Sequence, residues 1–293
     1  MAQFGRHSTA WEVTEGLDLT GTTWLITGVN SGLGKESARV LAARGAHIIG
    51  LARTLEKASE ALRTLDIDGT PIACELSDLT SVRAAAARLS GQTLNGIMAN
   101  AGIMALPALQ QTLGVEQHLF VNHVGHFVLV NALLAQLTPN GRVVILSSEA
   151  HRIAAKQGLE LNNTSGETDY HRWRMYGRAK LANILFARSL ARRFASEGRL
   201  QTANAVHPGV IQTNLARHIP KPSAERLFER TKHIEKTVEQ GAATQCYVAT
   251  HPALARTSGV YFSDCAPMEP IPAGLDDALA DQLWSWTESL VHS

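Results

Sequence analysis

Tyr176 and Lys180 lie four residues apart in Tyr176-Gly177-Arg178-Ala179-Lys180, about one helical turn, so a phenol and an ammonium share a face. A free phenol ionises near pH ~10, and a cation beside it favours the anion. Such a pair can pass a proton to or from a reacting oxygen. Upstream, Gly141-Arg142-Val143-Val144-Ile145-Leu146-Ser147-Ser148 reads as a buried parallel strand that ends in two hydroxyls. A second constellation sits near the N-terminus. Thr27-Gly28-Val29-Asn30-Ser31-Gly32-Leu33-Gly34 follows the apolar run Trp24-Leu25-Ile26 and leads into a helical pattern. A strand, a glycine-rich turn and a helix in that order bring backbone N–H groups to one point, which suits a diphosphate. Glycine there tolerates positive φ and lets a ligand approach the backbone. The spacing is G-x-x-x-G-x-G, not the commoner G-x-G-x-x-G.

These groups need a scaffold that gathers them, and the patterning predicts one. Strands are expected over Thr23–Thr27, His47–Ala52, Pro71–Leu76, Gly96–Asn100, Arg142–Ser147, Thr202–His207 and Gly259–Phe262. Helical patterns alternate with them over Leu33–Arg44, Leu55–Leu65, Leu79–Leu89, Leu113–Leu137, Tyr176–Ser196 and Val238–Thr250. The alternation predicts an α/β fold: a single-domain, Rossmann-type, doubly wound parallel sheet flanked by helices. Ligands in such sheets bind beyond the strand C-termini, where each motif falls. Residues 1–20 read as a polar N-terminal arm with a short helix around Trp11 to Leu17. Residues 21–293 read as one domain, with irregular substrate loops near 149–175 and 214–236.

The bulk composition restricts the choices. The chain has 293 residues, 45% hydrophobic and 18% charged, with 27 basic and 26 acidic side chains. That balance supports a sizeable core and asks for no nucleic-acid partner. Cys74, Cys246 and Cys265 are scattered without ligand spacing, which fits a reducing compartment. No run is expected to reach the ~18 apolar residues that span a bilayer; the best, Phe127 to Leu137, contains Asn131 and Gln136. No integral membrane segment is therefore expected, and a cytoplasmic location is. His123 and His126 are three apart on a helical pattern but have no evident third ligand, so no metal is assigned. His151 could line the cleft. The basic segment 217–236 reads as a lid over an apolar substrate or as a membrane-contacting surface.

With these residues in view, the chain resembles the short-chain dehydrogenase/reductase superfamily from Leu19 onward, and within it the retinol dehydrogenase-like branch. The resemblance rests on Thr27 to Glu36, on Asn100-Ala101-Gly102, on Val121-Asn122-His123-Val124-Gly125-His126-Phe127, and on Ser147-Ser148-Glu149-Ala150-His151. The 28 positions from Ser148 to Tyr176 and His207-Pro208-Gly209-Val210-Ile211-Gln212-Thr213 complete it. It implies hydride transfer between a nicotinamide cofactor and a carbonyl, with Asn122, Ser148, Tyr176 and Lys180 as catalytic residues. Tyr176 would be the acid/base, with its phenolate favoured by Lys180. Ser148 would orient the carbonyl, and Asn122 would hold a water that relays protons from Lys180.

Cofactor contacts are implied at Gly28, Asn30, Ser31, Gly32, Leu33, Gly34, Glu75, Leu76, Asn100, Ala101, Gly102, Tyr176, Lys180, Pro208, Gly209, Val210, Ile211 and Thr213. Glu75 stands where the family usually has Asp, which lengthens that contact. The cofactor form can be read from Arg53 at the end of the second strand: an acid there suits NAD, an Arg suits a 2′-phosphate. NADP(H) is therefore expected ahead of NAD(H), with Lys35 as a second candidate cation. The substrate class is a lipophilic aldehyde, ketone or alcohol, and the assembly a homodimer or homotetramer if not a monomer. The alternatives are an NAD-dependent alcohol dehydrogenase of the same family and a catalytically silent NADP(H)-sensing protein. Membrane-bound relatives carry an N-terminal apolar anchor that this sequence does not show.

Overall fold

The computed structural model describes residues 4–292, apart from the side chain of Leu227. The chain alternates β1 (Thr23–Thr27), α1 (Gly32–Ala43), β2 (His47–Ala52), α2 (Leu55–Thr64), β3 (Thr70–Ala73), α3 (Leu79–Ala87) and β4 (Leu94–Ala99). After α4 (Gly125–Leu133) come β5 (Leu137–Leu146), α5 (Arg172–Ser196) and β6 (Thr202–His207). The remaining elements are α6 (Lys221–Thr231), α7 (Val238–Thr250), β7 (Tyr261–Ser263), β8 (Ala266–Pro267) and α8 (Asp277–His292). The eight strands form one sheet in the order β8-β7-β6-β5-β4-β1-β2-β3. All pairs are parallel except β7 with β8. The order reverses between β1 and β4, which opens the crevice at the strand C-termini.

Side-chain alternation along each strand feeds two cores. Leu25, Ile97, Val143 and Ile145 pack on α3, α4, α5 and α8. Trp24, Ile26, Met98 and Val144 point the other way, onto α1, α2 and α7.

Three expectations need correction. The run Leu113–Leu137 is not one helix. Gln111–Thr112 and Val115–Glu116 pair as a hairpin, turned by Leu113 (φ 49°) and Gly114 (φ 71°), because successive positive φ values match the strand twist. Beyond it, Phe120–Val124 is a π-helical turn that leads into α4. Segment 214–236 is not mostly irregular, since it contains α6. The last helical pattern expected is Val238–Thr250, but a further helix, α8, follows it. Its buried positions Ala280, Leu283, Trp284, Thr287 and Val291 carry the helical spacing. Arg193 stacks 3.7 Å from the Trp284 ring centroid, which holds α8 to α5.

One helical stretch, Gln117–Gln136, has 20 residues and a mean hydropathy of 1.3, long and apolar enough by length and composition to cross a membrane. Asn131 and Gln136 do not interrupt it. Its most apolar window is 78% buried inside the protein, so here it serves as a core helix.

Candidate active site

The glycine turn and the ends of β1, β2 and β4 enclose a cavity of about 590 Å³. Gly28, Asn30, Ser31, Gly32 and Leu33 line one side. Gly28 and Gly32 have φ of 72° and 54°, a region that only glycine enters without strain. Ser31 stands at the N-cap of α1 with extended backbone and makes no side-chain cap bond. The first N–H groups of α1 thus have no side-chain partner there and carry the positive end of the helix dipole.

Gly34 is fixed for a steric reason. A Cβ there would lie 2.5 Å from Asn100 Nδ2 and would also collide with the Gly28 carbonyl. Gly34→Ala should therefore destabilise the protein by about 1–3 kcal/mol, as overpacking does. Urea denaturation measures this, and an unchanged midpoint would contradict so close an approach. Asn100 also ties the turn to β4. Its Nδ2 donates to the Thr27 carbonyl at 2.8 Å, and its N–H and that of Ala101 both donate to Thr27 Oγ1 at 2.9 Å. Asn100 Oδ1 is buried without a partner. An uncapped helix start, positive-φ glycines and an orphaned amide oxygen, all at one cavity, fit a dinucleotide.

Arg53 lines the same cavity at the end of β2 and makes no ion pair among the described residues. Lys57 joins it there, whereas Lys35 does not. Glu75 and Leu76 line the wall, with Glu75 Oε1 accepting from Ser77 Oγ at 2.8 Å. Asn100, Ala101, Gly102 and Thr213 also face the cavity; Pro208, Gly209, Val210 and Ile211 do not. Val210–Ile211 instead pairs with Glu235–Lys236, and Ile211 packs close to Gly241 of α7. Lys57 on the first turn of α2, Leu106 after β4, and Arg217 and His218 on a short helix after β6 also line the cavity; none of them falls in a motif read from the sequence.

Asn122, Ser148, Tyr176 and Lys180 lie just behind that wall. Tyr176 is 4% exposed, and the nearby Ser148 hydroxyl acts to lower its pKa. Ser148 Oγ also accepts from the Ala150 N–H at 3.1 Å, capping the short helix after β5. Ser147 turns away and donates to the Lys180 carbonyl at 2.7 Å. Lys180 Nζ donates to the Leu146 carbonyl at 2.9 Å and lies 5.5 Å from the Tyr176 ring centroid.

The electrostatics differ from the expectation that Lys180 pulls the phenol down. Burial pushes Tyr176 up to about 12, partly opposed by the nearby Ser148 hydroxyl. Burial likewise pushes Lys180 down to about 7. Desolvation penalises both charged forms, so the protein by itself favours a neutral phenol. The water expected on the Asn122 side chain also meets a different arrangement. Asn122 Oδ1 accepts from the Ile103 N–H at 2.8 Å and Nδ2 donates to the Ile103 carbonyl at 3.0 Å. The amide clamps the loop after β4.

Buried histidines brace this region. His126 Nδ1 meets the Asn122 carbonyl at 3.1 Å, so it carries the proton. His126 Nε2 must then accept from Thr27 Oγ1, 2.9 Å away. One imidazole thus links the Asn122 turn to the glycine turn. His151 Nδ1 donates to the Ser148 carbonyl at 2.7 Å and Nε2 accepts from the Ile271 N–H at 3.2 Å. Both nitrogens are occupied, so His151 supports Ser148 and does not line the cleft. His118, buried at 6.2 Å from the Tyr176 ring, donates to Glu116 at 2.6 Å and accepts from the Leu106 N–H at 3.2 Å. Among the described residues no cluster of three metal-ligating side chains occurs.

Comparison with known proteins places this geometry. The family model for short chain dehydrogenase matches residues 22–224. The chain belongs to the short-chain dehydrogenase/reductase superfamily. It falls in the retinol dehydrogenase-like branch of these oxidoreductases. It is 38% identical to retinol dehydrogenase 14 of Mus musculus, over 92% of this chain and 86% of that protein. It is 37% identical to the chloroplastic short-chain dehydrogenase TIC 32 B of Brassica napus, over 99% and 95%. Among solved structures, an uncharacterized protein from Mycobacterium paratuberculosis superposes with a TM-score of 0.78 at 31% identity, covering 96% of this chain and 97% of that one. A Burkholderia cenocepacia short chain dehydrogenase in complex with NADP has the same fold, with a TM-score of 0.67 at 24% identity over 84% and 97%.

Proposed function

We propose that this chain is an NADP(H)-dependent oxidoreductase that interconverts a lipophilic aldehyde or ketone and its alcohol, with Tyr176 as the acid/base. The observation that carries this reading is the buried Tyr176, with the Ser148 hydroxyl near enough to lower its pKa, beside a cavity at the glycine turn that holds the unpaired Arg53. The bound nicotinamide would exchange hydride with the carbonyl carbon. The protein's own residues do the rest. Gly28 to Gly34 and the start of α1 hold the diphosphate. Arg53 and Lys57 meet a 2′-phosphate, and Asn100 Oδ1 takes a donor from the ligand. Lys180, held near neutrality by burial, regains its proton when ribose hydroxyls offer it acceptors. Ser148 holds the substrate oxygen beside Tyr176, and Tyr176 gives that oxygen its proton. Ile103, Leu106, Val121, Leu146 and Leu215 contribute apolar side chains to a partly polar wall, which supports a lipophilic substrate. The retinol dehydrogenase name of the mouse relative supports the same class.

The test is consumption of NADPH and NADH against a panel of aliphatic, aromatic and isoprenoid carbonyls. NADPH should be preferred, and Arg53→Ala should erase about tenfold or more of that preference, the worth of one charged phosphate contact. Equal use of both cofactors by the wild type would defeat the NADP(H) assignment. NADPH binding without turnover of any carbonyl would favour the sensing role.

A further inference from the structure

The same cavity receives a second, separate guanidinium. Thr213 caps a short helix, Asn214–His218, and its methyl lies 3.2 Å from where a Gly32 Cβ would stand. This strand-to-helix strap therefore starts against the diphosphate turn. Four residues later Arg217 lines the cavity together with Arg53 and Lys57. Among the described residues, the guanidinium of Arg217 has one hydrogen bond, to the carbonyl of Asn214 in its own turn at 3.1 Å. No carboxylate pairs with Arg53, Lys57 or Arg217 among the described residues. Glu75, the acid on the cavity wall, is engaged with Ser77.

Like charges gathered without a counter-ion repel one another, and the repulsion registers here. Arg217 is lowered by burial and then by the charge of Arg53. His218 is lowered by burial and then by Arg217, His118 and Arg53. An arrangement that costs energy when empty is relieved by a dianion between its arms.

We infer that Arg217 is the second arm of the 2′-phosphate site, reaching from the substrate-side strap to grip the anion opposite Arg53. This rests on the NADP(H) reading and adds to it a link between cofactor choice and closure of the strap. A 2′-phosphate bridges the end of β2 to the segment that roofs the site, so the phosphorylated cofactor fastens the strap and its unphosphorylated counterpart does not.

The test measures Kd for NADPH, NADH, 2′,5′-ADP and 5′-ADP with the wild type, Arg217→Ala, Arg217→Lys and Arg53→Ala. The expected result is a loss of about tenfold or more for NADPH and 2′,5′-ADP in Arg217→Ala, with NADH and 5′-ADP unchanged. Arg217→Lys, which keeps the charge without the planar fork, should recover part of the loss. Equal weakening of all four ligands would overturn the inference, because Arg217 would then serve the diphosphate or the fold. No weakening in Arg217→Ala, with a large one in Arg53→Ala, would overturn it and leave the NADP(H) reading standing. A wild type that binds 2′,5′-ADP no better than 5′-ADP would defeat that reading itself, and the inference with it.

Discussion

Tyr176→Phe should cut turnover by about 1,000-fold, within the range that a positioned general acid contributes. NADPH affinity should fall by no more than about tenfold, the loss of a single hydrogen bond. The prediction follows from where the phenol sits. Tyr176 is almost fully enclosed, and burial pushes its pKa up to about 12, so at neutral pH it is a donor waiting for a basic oxygen. Ser148, near enough to act on its pKa, stands beside the position that a carbonyl oxygen would take. Phenylalanine keeps the ring, the packing against His118 and the cation contact with Lys180, and removes the proton alone. Single-turnover and steady-state rates with the best carbonyl, alongside a cofactor titration, separate the two effects. Retention of more than a tenth of wild-type turnover would show that another group supplies the proton. A fall in turnover matched by an equal loss of NADPH binding would show that the hydroxyl serves the cofactor instead.

Much of this site was legible in the sequence because the chemistry-bearing residues sit at element boundaries. A strand that ends in glycines before a helix can hardly be anything but a turn, and Thr27 to Gly34 forms one. The Tyr176-to-Lys180 spacing defines a helix face wherever the helix begins, so the earlier start of α5 at Arg172 did not disturb the pair. Spacing alone does not separate Ser147 from Ser148; strand alternation turns Ser147 to the Lys180 carbonyl and leaves Ser148 on the Tyr176 side. What stayed hidden depends on contacts distant in sequence. The π-helical turn at Asn122 arises where Ile103 takes the side-chain amide and His126 takes the carbonyl. The inversion of the Tyr176 and Lys180 shifts comes from burial, which the sequence does not quantify. Arg217 looks like an ordinary surface charge until Thr213 fixes its turn against Gly32.

The buried imidazoles make the protein acid-sensitive in a defined window. Burial pushes His123 down to about 3, and His126 and His207 down to about 4, from an ordinary 6.5. His151 is lowered by the same cause. Each folded pKa lies below its unfolded value, so between them the unfolded chain binds more protons. The stability these groups contribute is complete above pH 6.5 and is lost as the pH falls toward 4. At pH 5 each of the first three has lost about 2 kcal/mol, at roughly 1.36 kcal/mol per unit. Together they remove about 6 kcal/mol, which rivals the ~5–15 kcal/mol that holds a typical domain folded. The structural cause is visible in the bonds. His126 accepts from Thr27, His151 from Ile271 and His207 from the Glu149 N–H at 3.2 Å. A proton on the accepting nitrogen sets two donors facing each other at His151 and His207, and at His126 it forces the Thr27 hydroxyl, which already accepts from two N–H groups, to turn its own proton away. Denaturant unfolding at pH 7.5, 6.5, 5.5 and 5.0 should therefore show a steep fall, mostly below pH 6.5 and above the range where ordinary carboxylates protonate. His126→Gln retains an acceptor but cannot titrate, so it should remove about a third of that slope. A stability that stays flat from pH 7 to pH 5 would mean that these imidazoles protonate without leaving their partners. The bracing of the glycine turn through His126 would then have to come from Asn100 and Thr27 alone.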